Sequence, residues 1–194
     1  MLKMAKLIII VAPSGAGKST LISLLKKDFP QIKVSVSYTT RDMRKGEVDG
    51  KNYFFVTKDD FFSRRDRGEF VEWAEVHANY YGTSKIFIEK QLEQGVYVLL
   101  DIDVQGVDNI KKIFGQRAQA IFIAPPSIDE LERRLKARGT DAPEVIARRV
   151  ENAKKELLRK NDYDFLVTNE FLEESYNTLK NIVKSIIDSP ELSS

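Results

Sequence analysis

Cysteine is absent from the 194 residues, which excludes a disulfide scaffold and any thiolate metal site. Histidine occurs once, at His77, so a multi-histidine metal centre is excluded as well. A nucleophile triad built on that one histidine has no supporting signal, and His77 reads as an ordinary, partly exposed side chain. Neither sign of charge dominates: 31 Lys and Arg stand against 29 Asp and Glu, for a net charge of +2. That balance suits an anionic ligand without requiring nucleic acid. Long apolar runs are missing too. The run at 7–11 is too short for a membrane span or the core of a signal peptide. Lys3 and Lys6 flank it, no small-residue cleavage site follows, and it leads directly into a glycine-rich turn. It therefore reads as a strand, and the expectation is a cytoplasmic protein with no membrane partner. There is no internal repeat and no low-complexity segment, and Ser189 to Ser194 reads as a frayed tail.

What is present is an alternation of short apolar strands and amphipathic helices. Strands are expected at 6–12, 32–36, 96–101, 119–123 and 165–167. Helices are expected at 18–28, 104–113, 127–137, 143–159 and 171–187, the first carrying Leu21, Leu24 and Leu25 on one face. The last carries Leu172, Tyr176, Leu179, Val183 and Ile187 at helical spacing and reads as a structural cover. Such an alternation argues for an α/β fold with a mostly parallel sheet flanked by helices. Residues 37–88 break the rhythm with aromatic, strand-like pieces at 53–56 and 69–73. Thr57 is placed to cap a helix beginning at Lys58, from which Phe61 and Phe62 pack onto the strands. This stretch reads as a small inserted α+β lobe, and Arg138 to Pro143 reads as a mobile lid. The expected organisation is a core of 1–36, 89–137 and 151–194, a lobe of 37–88 and a lid of 138–150.

The strand at 7–11 runs into Ala12-Pro13-Ser14-Gly15-Ala16-Gly17-Lys18-Ser19-Thr20 and then a helix. That succession is the setting of a phosphate-binding P-loop. Gly15 and Gly17 let the backbone curl so that its N–H groups converge on phosphate oxygens, and the helix adds its positive end. Lys18 can reach the terminal phosphates and the Ser19 hydroxyl can hold Mg²⁺. Thr20 reads rather as helix packing or local hydrogen bonding. Ala12 stands where the pattern has a first glycine, so the turn there must use a conformation open to alanine. A GTPase-like Asn-Lys-x-Asp segment is missing, and a compact domain with an aromatic, basic lobe favours phosphoryl transfer to a small acceptor.

In that lobe Arg41 and Arg44 lie three apart, and guanidinium forks match phosphate oxygens. A solvated charge cluster is the alternative. Tyr53 and Tyr81 can each donate to a phosphate. Glu72, between Val71 and Trp73, is placed for partial burial and then needs a partner; guanine offers one carboxylate two adjacent donors. Asp101 and Asp103 follow the strand at 96–100, and ligands gather at the carboxyl ends of parallel strands. Turn or helix-capping aspartates are the alternative there. Trp73 reads as packing rather than ligand stacking, and Arg133, Arg134 and Arg148 as solvated helix faces.

Several ordered segments together resemble the guanylate kinase family. They are Ser37-Tyr38-Thr39-Thr40-Arg41, Gly46-Glu47-Val48-Asp49-Gly50-Lys51-Asn52-Tyr53, Glu72-Trp73-Ala74, Asn79-Tyr80-Tyr81-Gly82-Thr83, Leu100-Asp101-Ile102-Asp103-Val104-Gln105-Gly106, Ile123-Ala124-Pro125-Pro126-Ser127 and Arg138-Gly139-Thr140. The similarity spans about residues 6–187. It implies the P-loop nucleoside monophosphate kinase fold and the reaction ATP + GMP giving ADP + GDP, with Mg²⁺. It implies that residues 12–20 and Asn169 hold ATP, with Asn169 near the adenine. Arg41, Arg44, Tyr53 and Tyr81 would hold the phosphate of GMP or dGMP; Ser37, Glu72, Thr83 and Asp103 would contact guanine or orient its neighbours. Lys18, Arg41, Asp101, Arg138 and Arg149 would carry the catalysis, the last two from a lid that closes on substrate. Ala12, Thr83 and Tyr38 depart from the usual pattern of the family. Two rivals remain open: another nucleoside monophosphate kinase, and a non-catalytic phosphopeptide-binding module of the same fold. No nucleic acid and no protein partner is required by either enzyme reading.

Overall fold

The structure is a computed structural model that describes residues 5–76, 78–139 and 141–189. His77 and Thr140 lie outside the described residues, as does nearly all of the expected frayed tail. The chain forms two compact units. The first comprises residues 31–118 with the segment up to Leu7, and the second comprises Ile8–Pro30 with the chain from Gln119 onward.

The first unit carries β2 (Lys33–Val34), β3 (Tyr38–Thr39), β4 (Phe54–Phe55), α2 (Lys58–Asp66), β5 (Phe70–Val76), β6 (Asn79–Ser84), α3 (Lys85–Glu93), β7 (Val98–Asp101) and α4 (Val104–Phe114). Strand β2 pairs in parallel with β7, placing Lys33 opposite Val98 and Val34 opposite Leu99. The expected strand at 32–36 is thus only two residues long. A separate sheet runs β4-β3-β6-β5. Its hairpin β5–β6 is antiparallel, with Glu72 opposite Thr83 and Ala74 opposite Tyr81. Phe61 of α2 is fully buried against this sheet, in ring contact with Phe62, Phe70 and Tyr80. Thr57 caps α2 as expected, its side chain accepting from the Asp60 N–H. The helix α3 and the strand β6 were not anticipated from the sequence. Trp73 packs as expected, its ring 6.3 Å from that of Tyr80 and under the Arg65 guanidinium, while remaining 43% exposed.

The second unit carries β1 (Leu7–Val11, all but its first residue), α1 (Lys18–Asp28), β8 (Ala118–Ala124, all but its first residue), α5 (Ile128–Ala137), α6 (Pro143–Leu158), β9 (Phe165–Thr168) and α7 (Leu172–Asp188). Its strands lie in the order β1-β8-β9, and β8 and β9 are parallel. The chain has the α/β architecture expected: a mostly parallel sheet flanked by helices, with a separate small sheet. All of β1 is buried, as continuous Leu-Ile-Ile-Ile-Val demands. Helices α5 and α6 bury Leu131, Leu135, Ile146, Val150 and Ala153 together. The buried face of α7 is Ser175, Leu179, Val183 and Ile186, so the expected register is corrected: Leu172 is 47% exposed. Among the described residues, no helix is long and apolar enough to cross a membrane.

Candidate active site

The first unit collects the residues expected to hold the acceptor. Arg41 follows β3, and its Nη2 donates to both oxygens of Glu47, at 2.8 and 3.1 Å. Its guanidinium also lies 5.5 Å from the Tyr53 ring centroid. Glu47 accepts in addition from the Arg44 backbone N–H at 2.7 Å, while the Arg44 side chain is exposed. The Arg41 guanidinium holds the Glu47 carboxyl below the usual range, and Glu47 raises Arg41 in turn. Tyr53 and Tyr81 meet edge to face with centroids 5.8 Å apart. Burial, then the nearby Asp101 charge, pushes the Tyr53 hydroxyl up, so it remains a hydrogen-bond donor at neutral pH. Arg41, Tyr53 and Tyr81 therefore form one cluster of donors, which suits an anion.

Glu72 and Thr83 sit opposite each other on β5 and β6, and both are buried. The Thr83 hydroxyl donates to the Glu72 carboxylate. Burial raises Glu72 to about 7, the Thr83 hydrogen bond opposes that shift, and the charge of Asp103 adds to it. Such a carboxylate is short of donors, which a ligand with two adjacent N–H groups can supply. Gly106 in α4 makes room for it: a Cβ there would lie 2.6 Å from Glu72 Oε2. Asp103 caps α4, its Oδ1 accepting from the Gln105 N–H at 3.0 Å, so one of its oxygens is used as the capping alternative foresaw. Asp101 is exposed at the carboxyl end of β7. Ser37 is half-buried, and its carbonyl accepts from the Phe54 N–H.

The second unit carries the loop expected to hold the donor. Gly15 and Gly17 have φ of 96° and 92°, values that L side chains rarely adopt. Among the described residues only Ala78 is a non-glycine with positive φ, so Ala12 takes an ordinary backbone conformation. Gly17 is the N-cap of α1, so that helix opens with the N–H groups of Lys18 and Ser19. Ser14 and Ser19 are exposed, whereas Pro13, Gly15 and Ala16 are buried. Thr20 is exposed on the first turn rather than packed. Arg149 of α6 donates to Ser14 Oγ at 3.3 Å and pairs with Asp141, also at 3.3 Å. Arg138 ends α5 and is exposed. Asn169 is buried, and its Nδ2 donates to the Ala16 carbonyl at 2.7 Å.

Four residues that the sequence did not single out as site residues hold those that it did. Glu47 fixes Arg41, Gly106 admits Glu72, Asp141 pairs with Arg149, and Arg134 donates to the Asn169 carbonyl at 3.0 Å. Arg134 is thus half-buried and engaged, not a solvated face. A glycine inside a strongly amphipathic helix was the signal for Gly106, since it lowers helix stability unless packing needs it. Among the described residues, no cluster of His, Asp and Glu could hold a metal ion by itself.

The family model described as guanylate kinase matches residues 4–186. The guanylate kinase of Nitratidesulfovibrio vulgaris is 51% identical over 173 residues, 89% of this chain and 83% of that protein. That of Cupriavidus metallidurans is 48% identical over 177 residues, 91% of this chain and 82% of that protein. The crystal structure of guanylate kinase from Anaplasma phagocytophilum superposes with a TM-score of 0.76 at 32% identity, covering 94% of this chain and 86% of that one.

Proposed function

The chain belongs to the guanylate kinase family, and we infer that it transfers the terminal phosphoryl group of ATP to GMP, giving ADP and GDP. The observation that carries the choice of acceptor is the buried Glu72 carboxylate, held by Thr83 and short of donors. Guanine N1–H and the 2-amino group supply two donors side by side, whereas adenine presents an acceptor at N1. The non-catalytic phosphopeptide-binding alternative finds no support in these relatives.

In the proposed arrangement each unit serves one nucleotide. Arg41, Arg44, Tyr53 and Tyr81 hold the acceptor's phosphate, and Arg41 exchanges part of its pairing with Glu47 for that phosphate. Ser37, Glu72, Thr83 and Asp103 serve the guanine. The loop from Ala12 to Thr20 holds the triphosphate through backbone N–H groups and Lys18. Mg²⁺ with ATP, assisted by Ser19, supplies charge neutralisation on the phosphates. Asp101 orders groups about the transferred phosphoryl, and Arg138 and Arg149 neutralise charge developing on it. Two anionic substrates repel each other, so placement and charge compensation do most of the catalytic work, and acid–base chemistry is minor. Residues 138–150 act as a lid and 37–88 as the acceptor lobe. dGMP serves as a second acceptor, the setting is cytoplasmic, and no nucleic acid, membrane or protein partner is needed. A coupled ADP-release assay with GMP and AMP side by side tests the reading. GMP-dependent ADP release at least ~100-fold above that with AMP is expected, since buried polar groups left unpaired reject the wrong base strongly. Equal rates with both would overturn it.

A further inference from the structure

Asn169 follows β9 and uses three of its polar groups within the second unit. Its backbone N–H donates to the Ala124 carbonyl at 2.7 Å, at the end of β8. Its backbone carbonyl accepts from Arg134 Nη2 at 3.0 Å. Its side-chain Nδ2 donates to the Ala16 carbonyl at 2.7 Å, across 153 residues of sequence. Arg134 is itself fixed, its Nε donating to Glu130 Oε1 at 2.8 Å. Glu130 accepts from Arg133 as well, and the two guanidinium groups hold its carboxyl down to about 2, so it stays ionised at any physiological pH. Asn169 is only 6% exposed, so its Nδ2 bond is shielded from competing water. Gly17 completes the fit: a Cβ there would fall 2.3 Å from Asn169 Nδ2. The absence of a side chain at Gly17 therefore serves the left-handed turn and the approach of Asn169 together.

We propose that Asn169 is a positioning residue for the phosphate loop, fixing the Ala16–Gly17 peptide so that the N–H groups opening α1 stay presented to the donor's triphosphate. The amide is tied to strand β8, to helix α5 through Arg134, and to the loop, so it transfers the rigidity of two regular elements to a turn with none of its own. This role acts on phosphates and is indifferent to the base they carry. It differs in that respect from an adenine contact, the role that resemblance alone implies for Asn169. It rests on the reading of residues 12–20 as the phosphate holder.

Donors with and without a base separate the two roles. Inorganic tripolyphosphate and ATP are titrated calorimetrically into the wild type, Asn169→Ala and Arg134→Met, with steady-state kinetics alongside. Asn169→Ala weakens both ligands by the same factor, about tenfold, the effect of one buried hydrogen bond. The KM for ATP rises accordingly while the KM for GMP is unchanged. Arg134→Met keeps the Asn169 side chain and weakens both ligands equally by a smaller factor, about threefold; it carries the test if Asn169→Ala does not fold. Loss of ATP affinity with tripolyphosphate affinity intact would overturn the proposal and favour an adenine contact. Unchanged affinity for both ligands in either folded variant would overturn it as well. Failure of the wild type to bind tripolyphosphate would instead strike the reading of the loop itself.

Discussion

In the proposed reading the two units build their binding surfaces from different materials. In the first, the proposed binding groups are side chains held by other side chains: Arg41 by Glu47, Glu72 by Thr83, Tyr53 against Tyr81. In the second, the proposed binding surface is backbone, bent by Gly15 and Gly17 and tied to Asn169 through the Ala16 carbonyl. The difference follows from the ligands. A triphosphate is recognised by charge and many equivalent oxygens, which converging N–H groups satisfy without regard to sequence beyond glycine. A base must be told from other bases, which takes a side chain of one chemistry at one place, with its desolvation offset only by the right partner.

Lys18→Ala should break the donor half most severely. Loss of the one cation in residues 12–20 lowers kcat/KM for ATP by about a thousandfold, as removal of a preorganised charge-stabilising donor does. Steady-state kinetics at saturating GMP read this, and a fall below tenfold would show that Lys18 is not at the phosphates.

Glu72→Gln should do to the acceptor half what Lys18→Ala does to the donor half, by a smaller factor. At pH 8 it lowers kcat/KM for GMP about 100-fold, because the amide presents an N–H where a guanine donor should arrive. The wild type itself should lose GMP affinity as pH falls below about 7, where the buried carboxyl takes up a proton, while the variant's profile stays flat. Stability runs the other way. The folded state raises Glu72 above its unfolded value, so between that value and about 7 it binds more protons than the unfolded chain. The contribution of this group is therefore fully present in acid and lost as pH rises through 7. Above that pH Glu72→Gln should unfold at higher denaturant than the wild type, by up to about 3 kcal/mol, and the two should converge toward pH 4. A recognition group that destabilises the empty protein is what a functional carboxylate in a dry site entails.

Gly106→Ala gives the smallest effect and the sharpest test of how the acceptor half is supported. The added methyl meets Glu72 Oε2 at 2.6 Å and displaces it, raising the KM for GMP about tenfold. The helix itself gains, since alanine favours it over glycine by ~1 kcal/mol. Thermal denaturation should change little while GMP binding weakens and ATP binding stays the same. Equal weakening of both nucleotides would mean that the two halves are not supported separately.

The donor half was the more legible of the two in the sequence because backbone geometry is written in glycine. Gly15 and Gly17 occupy the two left-handed positions of the loop, and Ala12 stands where none is needed. The helix after it begins at Lys18 and ends at Asp28, the bounds its pattern predicts. The small lobe was harder. Strand β6, Asn79–Ser84, mixes aromatic, small and polar residues without alternation, and its order comes from pairing with β5 rather than from its own propensity. The Ser84 cap that opens α3, accepting from the Phe87 N–H, was a readable signal, but Ile86-Phe87-Ile88 behind it reads equally as strand. In α7 the apolar spacing gave the helix but not its face, because Ser175 is buried through bonds to the Thr168 and Phe171 carbonyls while Leu172 faces solvent. Supporting contacts such as Asn169 to Ala16 join residues far apart in sequence, and no local pattern announces them.

Crossed calorimetric titrations test the central claim, two separately built halves, most directly. ATP and GMP are each titrated into Lys18→Ala and Glu72→Gln at pH 8. The account predicts that Lys18→Ala loses ATP binding and keeps its GMP affinity within about twofold, and that Glu72→Gln does the reverse, as sites without shared partners behave independently. Loss of both nucleotides in either folded variant would contradict it.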